Sequence, residues 1–130
     1  DMVAESGTEL RSRQLHLASE VLRSLSGSGE LITVHADWQP PPRLSGRSCV
    51  YLLQLGGSAR RPAAMPSLYV GESDAIGRRL QQHRRRFAPR TLECVLVEVE
   101  SKSAARELEA LTIRRLKELG VGRVRNVVNG

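Results

Sequence analysis

Apolar positions recur at two different periods along the chain, and the switch between them marks the elements. Leu10, Leu17, Ala18, Val21, Leu22 and Leu25 recur at helical spacing, with Thr8 or Ser6 as the cap, and Gly27-Ser28-Gly29 ends that helix. "ELITVHADW" (30–38) reads as a strand or an extended arm. The three prolines of "QPPPRLSG" (39–46) remove backbone donors and fix φ, which excludes helix and central strand and places a boundary there. "SCVYLLQL" (48–55) is apolar on both faces and predicts a covered strand. A glycine- and proline-containing loop, 56–66, separates it from "SLYVGE" (67–72), which pairs with it as a hairpin. Ser73 or Asp74 then caps a helix running to about Arg86, and Pro89 stops it. "TLECVLVEV" (91–99) is a third strand, again apolar on both faces, and 103–119 is a final helix ended by Gly120. The order β-β-α-β-α with a hairpin start predicts an α+β fold, a small three-stranded sheet flanked by helices. The organisation that follows is an N-terminal helix and connecting segment (1–38), a Pro-rich linker (39–47) and a compact domain (48–130).

Charge changes this picture because of where it lies. The chain of 130 residues carries a net +6 at pH 7. Residues 59–90 hold eight arginines against Glu72 and Asp74, which accounts for the whole excess. A segment this basic points to a polyanion, most simply nucleic acid; a solvated arginine-rich face is the other reading. Cys49 and Cys94 fall inside apolar strands at no metal spacing and read as buried reduced thiols. No apolar run reaches the length of a membrane span and no signal peptide opens the chain, so no membrane partner is expected. A start inside a helical pattern suggests a piece of a longer protein.

The residues able to do chemistry are few. Both tyrosines, Tyr51 and Tyr69, fall on the hairpin strands, where paired strands can bring two rings to one face. Strand propensity alone would also place tyrosines there. Arg79 and His83, four apart, share a helical face and join an always-charged forked donor to a group that exchanges protons near neutrality; a solvated pair is the plainer reading. On the last helix, stepping about 100° per residue from Leu108 puts Leu119 near 20°, Leu116 near 80° and Ile113 near 140°. Glu109 falls near 100° by the same step, inside the apolar arc. A carboxylate there needs a cation, a metal or strong donors. Two readings stay open: a buried ion pair with Arg79, and a single-carboxylate metal site.

"CVY" at 49–51, "YVG" at 69–71, "RL" at 79–80 with His83, Glu109 in "LEALTI" and Asn126 in "RVRN" together resemble the GIY-YIG nuclease family. The resemblance covers residues 48–130, with Cys49 and Val50 in place of the first glycine and isoleucine and seventeen residues between the tyrosines. "QPPPRLSGRSCVYLLQL" with "LYVGESDAIGRRLQQHR" resembles, more closely, the C-terminal domain of organelle-targeted MutS homologues of plants and algae. The resemblance implies a DNA endonuclease acting on branched, mismatched or recombining DNA, attached to a MutS-type body in a longer chain, in mitochondria and/or plastids. It implies Tyr51 and Tyr69 as active-site tyrosines and Arg79 as the group stabilising charge on the scissile phosphate. It implies His83 as a phosphate contact or proton relay, Glu109 as the protein ligand of Mg²⁺ or Mn²⁺, and Asn126 as the residue ordering the site. Gly71 would let the helix start close to the strand and would count among the DNA-binding residues. Arg60, Arg61, Arg78, Arg84, Arg85 and Arg86 would dock the DNA backbone. The alternatives are a catalytically weak module that recognises DNA structure and an unrelated basic α+β module that binds RNA or an acidic protein.

Overall fold

A computed structural model describes residues 7–27, 29–34, 39–56, 66–88 and 90–125. The elements are α1 (Gly7–Ser26), β1 (Leu31–Val34), a 3₁₀ turn (Pro42–Leu44), β2 (Ser48–Leu55), β3 (Ser67–Ser73), α2 (Ile76–Phe87), β4 (Thr91–Val99), α3 (Lys102–Leu119) and β5 (Val124–Arg125). The α+β class and the β2–β3 hairpin match the sequence pattern. The sheet does not stop at three strands. Five strands lie in the order β1-β4-β2-β3-β5, antiparallel except for the parallel pair β3–β5. The extra strands sit at the two edges. β1 is the "LITV" part of the stretch read as a strand or an arm, and it pairs with β4 from Leu31↔Val97 to Val34↔Cys94.

Strand alternation divides the core in two. Cys49, Tyr51, Leu53 and Leu55 of β2 face α2, together with Tyr69, Cys94 and Leu96. Val50 and Leu52 face the other way, against Ala18, Val21 and Leu22 of α1 and Ala105, Leu108 and Leu116 of α3. A sheet covered on both faces explains why β2 and β4 read as continuous apolar runs. The core runs across the proline stretch: Leu44 is fully buried on the α2 side, and α1 packs on the opposite side. The 3₁₀ turn closes through Ser45 N donating to Pro42 O. Outside it, Arg43 and Arg47 pair with Glu98 of β4 at 3.8 and 3.5 Å, exposed contacts of small energetic weight.

The helix boundaries follow from capping. Ser101 caps α3, its hydroxyl accepting from Ala104 N at 3.0 Å, and Gly120 closes it with φ 63°. At α2 the cap is Ala75, with no side-chain cap bond. Ser73 instead accepts from Ala75 N at 2.9 Å, one residue short of the helix, and Asp74 accepts from the Ser48 hydroxyl at 2.7 Å. The apolar stripes also shift from expectation. On α1 the buried face is Gln14, Ala18, Val21 and Leu22, while Leu17 and Leu25 are exposed. On α3, Ala105, Leu108, Thr112 and Leu116 are buried, but Leu119, in the last turn, is 46% exposed. Leu119 lines a shallow groove with Leu17, Val21 and Leu25 of α1.

Candidate active site

The site grows from one cross-strand pair. Tyr51 stands opposite Gly71, and Leu53 stands opposite Tyr69, so the two tyrosines are diagonal neighbours on one face. Their rings stack with centroids 6.3 Å apart and planes 12° apart. Gly71 makes this possible: a Cβ there would overlap the Tyr51 hydroxyl and ring. The glycine is required because the Tyr51 side chain lies across β3, not because α2 comes close to the strand.

Helix α2 closes over the rings. Ile76, Leu80, His83 and Phe87 form its buried stripe. His83 is 4% exposed, and its Nε2 lies 2.8 Å from the Tyr51 hydroxyl oxygen. Its ring meets Tyr69 edge-on at 4.5 Å and stacks on Phe87 at 5.7 Å. Arg86 lies over Phe87, 5.2 Å from the ring centroid. Phe87 is a wall of the site that the motif reading passed over, although it lies four residues beyond His83 on the same stripe.

Burial sets the protonation states. It lowers the His83 pKa to about 4, with the charges of Arg79 and Arg86 adding to the effect, so the ring is neutral at physiological pH. One of its nitrogens then carries no proton and can accept. Burial also pushes the Tyr51 hydroxyl well above the usual range, helped by Tyr69 and the Glu109 carboxylate and opposed by Arg79. Arg79 and Glu109 therefore both lie within electrostatic reach of that hydroxyl. Arg79 is half-buried on α2, and Glu109 is half-buried on α3 beside the buried Leu108.

The structure thus brings Tyr51, Tyr69, His83 and Gly71 into contact, and the charges of Arg79 and Glu109 act on the Tyr51 hydroxyl. Arg78, Arg84, Arg85 and Arg86 are exposed along α2, so the basic ridge runs on the outside of the helix whose inner stripe closes the site. Arg60, Arg61 and Asn126 lie outside the described residues.

The chain is 34% identical over 91 residues to the DNA mismatch repair protein MSH1, mitochondrial, of Arabidopsis thaliana. That stretch is 70% of this chain and 7% of the relative, so the chain spans a small part of the curated protein it matches. No family model matches the chain, and no solved structure matches it at a significant level.

Beside the site, charges are balanced locally. Glu72, which follows Gly71, forms an ion pair with Lys102 at the start of α3, and Asp74 lies 3.9 Å from the same ammonium. The acidic residue is thereby neutralised from the α3 side and does not set a free negative charge beside the tyrosines. Among the described residues no three His, Cys, Asp or Glu side chains converge. The carboxylate within reach of Tyr51 is Glu109. One carboxylate, with water and phosphate oxygens completing the shell, is a donor set that suits Mg²⁺, which keeps several waters when bound.

Proposed function

We propose that the chain is a GIY-YIG-type domain that hydrolyses DNA phosphodiester bonds with one divalent cation. It acts on branched, mismatched or recombining DNA, within a MutS-type protein that maintains an organelle genome. The likeness to the mitochondrial mismatch repair protein supports the setting in DNA maintenance and in mitochondria. The reading rests above all on the buried Tyr51–His83 contact, which lies beside Tyr69 within reach of Arg79 and Glu109 and behind a basic helix.

Each residue has a role that its surroundings suit. Arg84, Arg85 and Arg86 hold the DNA backbone by charge, with Arg78 on the same helix. Arg79 offers a forked cation to the charge that builds on the phosphoryl oxygens. Tyr51 passes or takes a proton at its hydroxyl, with neutral His83 as the acceptor behind it. Glu109 would hold Mg²⁺ or Mn²⁺, which would polarise the phosphate and lower the pKa of a bound water. Incubating the chain with a labelled four-way junction and its matched duplex, with and without Mg²⁺, tests this. Mg²⁺-dependent cleavage of the junction is expected; binding with no cleavage in Mg²⁺, or in Mn²⁺ put in its place, would refute the nuclease assignment.

One observation favours a second reading, a DNA-structure recognition module with little catalysis. Tyr51 is 2% exposed and burial holds its hydroxyl protonated, so a general base formed there must first overcome that environment.

A further inference from the structure

The two-residue strand β5 carries a cation that belongs to the same face as the tyrosines. Its register with β3 is Leu68↔Val124 and Tyr69↔Arg125. Residues paired across a ladder point to the same side of the sheet. Val124 packs with the apolar cluster under α1 and α3, as its partner Leu68 does. Arg125, one residue on, therefore faces the opposite side, with Tyr69. It is half-buried, and its guanidinium makes no hydrogen bond or ion pair with another described residue. A partly buried guanidinium that meets no anion among the described residues, on the same face as a buried tyrosine, is placed to receive one.

The placement of β5 is built, not incidental. Gln14 of α1 is 2% exposed and donates to Pro66 O at 2.6 Å and Val121 O at 3.1 Å, tying the start of β3 to the turn before β5. Its amide oxygen accepts from Gln54 of β2 at 2.9 Å. Gly122, at φ 130°, leaves no room for a Cβ beside the Gln14 amide, and Leu68 N donates to Arg123 O at 2.8 Å. A buried amide of the N-terminal helix thus fixes the register that sets Arg125 against Tyr69.

We propose that Arg125 is a further DNA-binding residue, gripping a backbone phosphate at the β3–β5 edge of the sheet. Arg79 lies on α2 and its charge acts on the Tyr51 hydroxyl, so the strand would be held by two guanidiniums on different elements. The inference rests on the reading of the chain as a DNA-acting domain. It is tested by titrating a fluorescein-labelled four-way junction into the unsubstituted chain, Arg125→Ala, Arg125→Lys and the triple Arg84→Ala, Arg85→Ala, Arg86→Ala, over a series of salt concentrations. Arg125→Ala should raise Kd roughly tenfold at low salt and lower the slope of log K against log salt by about 0.9, the value for one phosphate contact. Arg125→Lys should restore the slope while leaving part of the affinity lost, because an ammonium cannot fork across two oxygens. If the triple variant weakens binding while Arg125→Ala keeps the original Kd and slope, the inference is wrong and the DNA-binding reading stands. If the unsubstituted chain binds no DNA, both fall.

Discussion

The two faces of the sheet are built from the same five strands and differ in what they bury. Under α1 and α3 the sheet meets Ala18, Val21, Leu22, Ala105, Leu108 and Leu116, an apolar layer interrupted by the amide pair of Gln14 with Gln54 and by the buried Thr112 hydroxyl. Under α2 it meets two tyrosines and a histidine, all under 5% exposed, with Arg79 on that helix and the charge of Glu109 reaching the Tyr51 hydroxyl from α3, the helix of the other face. Burying polar groups is unfavourable without partners. The first face uses its amides to tie backbone segments together. The second holds titratable groups away from water, where their charges and proton affinities are altered. Both faces bury an apolar layer, and the α2 face adds titratable groups to it, with arginines exposed along the outside of α2.

The largest effects should separate these faces. Leu22→Ala, on the α1 side, should cost about 2–5 kcal/mol of stability, since the fully buried side chain leaves a cavity. Arg79→Ala, on the α2 side, should lower cleavage by roughly 10²–10³-fold with a small change in melting temperature. Chemical denaturation and junction-cleavage rates measured on both variants check this. A cleavage defect in Leu22→Ala at temperatures where it remains folded would break the division.

A second test is the pH dependence of stability. The folded-state pKa of His83 is about 4, below the ordinary 6.5, so the unfolded chain binds its proton first as the pH falls. The stability linked to His83 is complete above pH 6.5 and is lost progressively towards pH 4. The loss should be on the order of 2–3 kcal/mol. His83→Gln should flatten this part of the profile while the carboxylate-linked fall at lower pH remains. Urea melts at pH 7 and pH 5 on both proteins measure it. An equal drop in both would mean that His83 is not held neutral by the fold.

The smallest stability effect is expected on the basic ridge. Replacing Arg84, Arg85 and Arg86 together by Ala should lower the melting temperature only slightly, because what is lost are contacts of exposed side chains, Arg86 over Phe87 among them. The slope of log K against log salt for DNA should fall by about 2–3. An unchanged slope would make the ridge a solvated surface.

What could be read from the residues depended on how strongly local pattern and tertiary packing agreed. β2 was legible to its bounds, Ser48–Leu55, because a run apolar on both faces has few alternatives once a turn follows. The paired tyrosines and His83 were legible through their order and spacing, and the structure brings their rings together, with the charges of Arg79 and Glu109 acting on the Tyr51 hydroxyl. Gln14 was not: a glutamine between Arg13 and Leu15 has no local signal of burial, and its amide finds its partners only in a strand and two loops distant in sequence. β5 was not either, because two residues show no period, and its register with β3 comes from chain distant in sequence. Leu17, Leu25 and Leu119 fit helical stripes and are nonetheless exposed, since helical spacing alone does not say where the partner helix ends. The proline stretch looked like a linker, and the buried Leu44 within it shows that a segment barred from regular structure can still fill a core.

The central claim is that the groups acting on the Tyr51 hydroxyl perform metal-dependent chemistry, and Glu109 tests it most directly. Glu109→Ala removes the half-buried carboxylate while leaving the buried Leu108, Thr112 and Leu116 in place. The measurement pairs junction cleavage in Mg²⁺ with thermal melts, with and without Mg²⁺, for the wild type and the variant. The account predicts Mg²⁺-dependent cleavage by the wild type and its loss in Glu109→Ala. It also predicts little change in melting temperature and DNA binding as tight as before or tighter, because a negative charge leaves the phosphate site. A stability loss of about 3–5 kcal/mol in the variant, the cost of stranding a buried partner, together with no Mg²⁺-dependent cutting by the wild type, would contradict it. Glu109 would then be a structural ion-pair partner in a domain that recognises DNA without cleaving it.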